Sequence, residues 1–228
     1  GIKEREHIYH SLVETINEQD PELHNFYLAG TPAITVLFGV NMLNDLMFLI
    51  PFVVIMVLLV LLISFKKLSG VLLPVLAVII STTWTIGLMY FFNIPLSMLG
   101  TVIPILLVAV GSAYGIHVIS HYYDDVKSSM IQRLKNHPDS EYHFTKEEKR
   151  NLVLETLSKV AKPVIMAGLT TIVGFGSLSV SEVQPMKVFG IFTAIGVAVA
   201  LLVALTLIPL LLILLPQSWH PKKHKNIH

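Results

Sequence analysis

From its amino end the chain stays polar through residues 1–45, then alternates long apolar runs with short polar breaks. Within the polar part, Ile2, Ile8, Leu12 and Ile16 recur on one side of a helical pattern, "GIKEREHIYHSLVETINEQ", which the "DPE" at 20–22 ends. "NFYLAGTP" (25–32) predicts a short strand stopped by Gly30 and Pro32, and "AITVLFGVNML" (33–43) a second helical stretch leading straight into the first apolar run. Together these predict a small α/β piece, too short for a complete domain.

Five apolar runs follow, at 48–65, 70–92, about 96–120, about 160–180 and about 187–215. Each is near or above the roughly 20 residues a helix needs to cross the hydrocarbon layer. Lys66 and Lys67 close the first run, and the turn "NIP" (93–95) closes the second. Prolines at 51, 74, 104, 163 and 209 fall in or beside the runs, where neighbouring helices and hydroxyls satisfy the freed carbonyls. Between the third and fourth runs lies a charged insert, 121–159. In it Thr145 and Glu148 form a capping-box pattern, so a helix is expected to begin near Lys146. Val153, Leu157 and Val160 give that helix an apolar side, which fits either a helix lying on the membrane surface before Pro163 turns the chain inward or an ordinary connecting helix.

Composition sharpens the class. With 54% hydrophobic residues, only 14% charged ones and a mean hydropathy of +0.70, the chain is expected to be an all-α integral membrane protein. The net charge of +1 gives no field that would attract nucleic acid. With no cysteine, disulfides, thiol catalysis and thiolate metal sites are excluded. No basic n-region followed by an apolar h-region opens the chain, so no signal peptide is expected at its start, and an initial Gly1 suggests a native start upstream. Placing the N-terminal piece outside leaves thirteen Lys and Arg in the inner segments and only Lys3, Arg5 and Lys187 in the outer ones. That bias predicts an extracytoplasmic N-terminal piece (1–45), a membrane domain (46–216) with a cytoplasmic insert (121–159), and a basic cytoplasmic tail (217–228). The tail serves as a topology signal or touches anionic lipid.

The candidate chemistry is sparse. No GxxxxGK[ST] and no strand–GxGxxG–helix is present. His117 and His121 stand four apart, as metal ligands do, but no buried Cys, Asp or Glu in another run supplies a third ligand. Ser177 in "GFGSLS" lacks the strand–turn–helix context and partnered base of a hydrolase nucleophile. Neither an enzyme nor a cofactor or metal site is expected. Small residues are the stronger signal: Gly111 and Gly115 form a GxxxG pair, with Gly168, Gly174 and Gly176 in the fourth run and Gly190 and Gly196 in the fifth. They predict close helix packing, or a sliding interface. Tyr114, His117 and His121, spaced three and four apart, share a face, and Thr170 and Thr171 offer hydroxyls at similar depth. Such a stripe marks a proton or ion path, or else places the histidines near the headgroups.

The order "SFKKLSGVLLPVLAVIISTTWTIGLMYFFNIPLSML", "PILLVAVGSAYGIHVISHYYDD", "KPVIMAGLTTIVGFGSLS" and "PMKVFGIFTAIGVAVALLVALTLIPLLL" resembles the resistance-nodulation-division (RND) superfamily, and within it the MMPL-type and Patched-like exporters. The resemblance covers the chain from about residue 24. It implies spans two to six of one six-span half, with the end of a porter-type outer domain before them. The implied partners are membrane lipids, a hydrophobic or lipid-like substrate, the first span and opposite half of the same transporter, and further copies in a homo-oligomer. The implied function is export or relocation of such substrates across or along the inner membrane, driven by an ion gradient. A lipid- or sterol-sensing module and a Sec-type export accessory are the alternatives. The resemblance also implies, as in many relatives, an aspartate immediately before the tyrosine of the third run. Here that position is Ala113, which leaves Tyr114, His117, Thr170 and Thr171 as a relay without its acid.

Overall fold

A φ of 117° at Gly30, open to glycine but strained for other residues, turns the chain into a helix that runs unbroken from Thr31 to Phe65. The computed structural model describes residues 2–19, 30–65, 68–95, 97, 99–136 and 144–214, and the elements described are all helical. They are α1 (Ile2–Gln19), α2 (Thr31–Phe65), α3 (Leu68–Phe91), α4 (Val102–Asn136), α5 (Lys146–Gly176), a 3-10 turn (Ser177–Val180) and α6 (Gln184–Leu214). The helix expected at the start of the chain is α1, whose Ile8 and Leu12 remain exposed. The "DPE" break and the strand expected over 25–29 lie outside the described residues. The remaining positions of "NFYLAGTP", 30–32, form the bend and first turn of α2 rather than the end of a strand.

The chain is an all-α, multi-pass membrane protein. Five helices, α2 to α6, are long and apolar enough to cross a bilayer. Helices α3, α4 and α6 pack on one another at the centre, α5 lies along α6 and α4, and α2 leans on α4 and α3 with α1 against it. Ile103, Leu107 and Ile119 of α4 interlock with Val197, Ala200, Ala204 and Ile208 of α6 and Ala77 of α3 in one core. Lipid is as apolar as these side chains, so close van der Waals fit, rather than expulsion from water, holds the bundle together.

Helix ends follow local rules. At the end of α3, Asn93 takes the left-handed conformation (φ 53°). The Ile94 amide then bonds Met89 O (2.9 Å) and the Asn93 amide bonds Tyr90 O (3.0 Å), a Schellman pair that closes the turn before Pro95. Pro104 falls in the first turn of α4, where a missing amide hydrogen costs no intrahelical bond. At the start of α5, Thr145 Oγ1 accepts from the Glu148 amide (3.3 Å) while Glu148 Oε2 accepts from the Thr145 amide (2.9 Å), the expected capping box.

The charged insert departs from expectation. Helix α4 does not stop near residue 120 but continues to Asn136, and α5 passes through Pro163 without a break. Among the described residues no separate surface helix forms, because Val153 and Val160 are buried in the bundle core alongside Tyr122 and Val126 of α4 rather than turned to lipid. Polar pairs fasten the two helices: Arg133 Nη2 to Glu148 Oε1 (2.7 Å), Thr156 Oγ1 to Asp125 Oδ2 (2.7 Å) and Lys159 Nζ to Asp125 Oδ1 (3.1 Å). The Arg133 guanidinium also lies 5.1 Å from the centre of the Phe144 ring.

Candidate functional site

Helix α4 has the most buried of the five apolar stretches. The three side chains of its polar stripe nevertheless part company at the bundle's edge. Tyr114 is buried, whereas His117 and His121 are exposed in a row with Ala113 at i, i+4 and i+8. At 100° per residue, Tyr114 stands about 60° around the helix from His117, enough to carry one inward and leave the other outside.

The Tyr114 hydroxyl stands beside Thr171 of α5 but makes no hydrogen bond. Thr171 Oγ1 donates to Ala167 O at 2.9 Å and Thr170 Oγ1 to the same carbonyl at 2.8 Å. Both threonine protons are thus held by their own helix, and neither reaches His117, which makes no hydrogen bond among the described residues. A phenol with a free proton beside a hydroxyl with free lone pairs can donate a hydrogen bond to it after a small movement. Among the described residues no three His, Asp or Glu side chains come together around His117 and His121. No Asp or Glu occurs within 48–65, 70–92, 96–120, 160–180 or 187–215. Asp45 lies about 20 residues before Phe65, one membrane thickness away.

The glycines divide into two groups. A Cβ at Gly115 would meet Pro74 Cβ at 3.0 Å and Ile208 Cδ1 at 3.1 Å, and one at Gly168 would meet Leu201 Cδ2 at 2.7 Å. At Gly196 it would meet Leu107 Cδ1 and Thr85 Oγ1, both at 2.7 Å, and at Gly190 the Phe175 carbonyl oxygen at 2.6 Å. Gly111 is looser, with Val78 Cγ2 at 3.3 Å. Nothing lies within 4 Å of a Cβ at Gly174 or Gly176, so this bundle makes no use of their missing side chains.

Sequence reasoning passed over a seam of hydroxyls at the α3–α4–α6 contact. Ser81, Thr85, Ser112 and Thr193 are all buried. Thr85 Oγ1 donates to Ser81 O (2.7 Å), Ser81 Oγ to Val78 O (3.0 Å) and Ser112 Oγ to Ala109 O (3.0 Å), whereas Thr193 Oγ1 has no partner. The available signal was the i, i+4 pair Ser81 and Thr85 in an otherwise apolar run, set opposite Gly196.

A family model described as the MMPL family matches residues 3–133 and 140–228. A Methanocaldococcus jannaschii protein named only as a membrane protein is 31% identical over 185 residues, 81% of this chain and 43% of that protein. The chain therefore spans less than half the length of that relative. No solved structure matches it.

Proposed function

The chain belongs to the MMPL family, and from that premise we propose that it works as part of an RND-type secondary transporter that exports or relocates hydrophobic or lipid-like molecules. The observation that carries this reading is the family match along nearly the whole chain. The transporter sits in the inner, or plasma, membrane. Residues 1–45 belong to its extracytoplasmic domain, 121–159 and 217–228 face the cytoplasm, and the distribution of Lys and Arg supports that orientation. The substrate path needs the first span and an opposite half besides this bundle, and an ion gradient drives it. No step of this work makes or breaks a covalent bond in the substrate.

In this reading the bundle is a structural or weakly coupled partner rather than the principal proton carrier. Ala113 stands where the family resemblance implies an acid, and no described carboxylate pairs with His117. The test uses the full-length protein in proteoliposomes with an imposed pH gradient and a fluorescent long-chain lipid analogue. Gradient-stimulated movement of the analogue is expected, and His117→Ala should keep most of it. Movement indifferent to both the protein and the gradient would sink the transport reading. Complete loss in His117→Ala, with folding and membrane level intact, would instead make His117 the coupling residue.

A further inference from the structure

Where α2 ends and α4 leaves its apolar run, a cavity of about 490 Å³ opens between them. Ser64 and Phe65 of α2 line it together with Ser120, Tyr123, Asp124 and Lys127 of α4. The Phe65 and Tyr123 rings meet edge to face with centroids 5.8 Å apart, and aromatic side chains of this kind gather at the headgroup level of membrane proteins. The cavity thus lies where both helices pass from lipid into water.

Four of its polar side chains, Ser64, Ser120, Asp124 and Lys127, have no partner among the described residues. Ser81, Ser112, Ser158 and Ser177 each donate to a carbonyl three residues back, a common local bond of a helical serine. Ser64 and Ser120 make no such bond. Asp124 and Lys127 are opposite in charge and three apart on one helix face, yet neither pairs with the other or with any described residue. The neighbouring Asp125, by contrast, is taken up by Thr156 and Lys159.

We propose that this cavity holds the headgroup of an aminophospholipid, its phosphate on Lys127 and the Ser64 and Ser120 hydroxyls, its ammonium on the Asp124 carboxylate. A zwitterion with N–H donors satisfies both free charges. An anionic headgroup alone would leave Asp124 facing like charge, and a trimethylated amine has no proton to give the carboxylate. A lipid is the occupant, rather than a free phosphorylated amine, because apolar surface continues from the cavity. Val60 and Met56 lie one and two turns back from Ser64 in the same row, both exposed, and Ile116 lines the α4 side. The site stands whether or not the protein transports lipid.

The test is native mass spectrometry of the delipidated full-length protein. It is titrated with phosphatidylethanolamine, phosphatidylcholine and phosphatidylglycerol of matched chains, and with soluble O-phosphoethanolamine. Phosphatidylethanolamine should be retained in preference to the other three. Asp124→Asn and Lys127→Gln should each weaken it roughly five- to tenfold, the order expected for one charge-assisted contact. Thermal stability should not change, since neither side chain holds a partner among the described residues. Equal retention of the three lipids, or retention of phosphatidylethanolamine unchanged in both variants, would overturn the proposal. So would a preference for phosphatidylglycerol lost only in Lys127→Gln, or O-phosphoethanolamine binding as tightly as the lipid.

Discussion

Replacing Gly190 by alanine sets a side chain against backbone. The new Cβ would lie 2.6 Å from the Phe175 carbonyl oxygen and 2.5 Å from Leu178 Cβ. Neither atom is the tip of a flexible side chain, so α6 must move away from α5 and the 3-10 turn. Overpacking of this kind costs about 1–3 kcal/mol, and alanine in a helix interior recovers about 0.5–1 kcal/mol of backbone entropy. The net loss should centre near 1 kcal/mol. Gly174→Ala supplies the contrast, because it gains the helical term and meets nothing within 4 Å. The difference between the two variants therefore isolates the packing cost, about 1–3 kcal/mol. Gly111→Ala should fall between them, its nearest contacts being Val78 Cγ2 at 3.3 Å and Ala200 Cβ at 3.5 Å. Reversible unfolding in mixed micelles of a mild detergent and sodium dodecyl sulfate, followed by circular dichroism, gives the three midpoints. Equal shifts in all three, or Gly174→Ala as the least stable, would refute the close approach at Gly190.

Tyr114→Phe removes a buried hydroxyl that has no partner, so it should stabilise the bundle by about 1 kcal/mol in the same assay, and a lowered midpoint would reveal a hydrogen bond the bundle does not show. Thr145→Ala removes the accepting half of the capping box and should cost about 1 kcal/mol. Amides 146–149 should then exchange faster with deuterium, and unchanged exchange would show that the box does not hold the start of α5. The chain has no native cysteine, so Pro95→Cys and Asn136→Cys can be labelled singly. An impermeant maleimide should reach the first from outside and the second only after permeabilisation. The reverse pattern, or equal access, would sink the orientation drawn from basic residues.

What could be read from the sequence was what neighbouring residues decide. The turn "NIP" and the Thr145–Glu148 box each span a few residues, and both closed as their chemistry predicts. The apolar runs marked where the chain meets lipid. They did not mark where helices end, because a helix that leaves the bilayer against a partner keeps its own hydrogen bonds. Residues 121–136 and 146–159 accordingly became extensions of α4 and α5. Spacing placed Tyr114, His117 and His121 near one face, but a face has edges, and only the position of α5 decides which side of the edge each residue takes. The hydroxyl seam escaped for a related reason. A serine or threonine in an apolar run reads alike whether it faces lipid or a neighbouring helix, and burial of Thr193 is set by α3 and α4, far away in sequence.

The unbroken run of α4 from Val102 to Asn136 makes it a lever. At 1.5 Å per residue the rod is about 52 Å long. Its fulcrum lies where Gly111 and Gly115 let it press against α3 and α6, and its long arm leaves the apolar run beyond Ser120. A tilt of about 5° about Gly111 would carry the Asn136 end through about 3 Å, with no hinge to absorb the motion. Because α5 is tied to the long arm at Glu148 and Asp125, a load there reaches Tyr114 and Thr171 through two rods held in parallel. A tilt of α4 alone would stretch both ion pairs, so at that end the two helices would tend to move together.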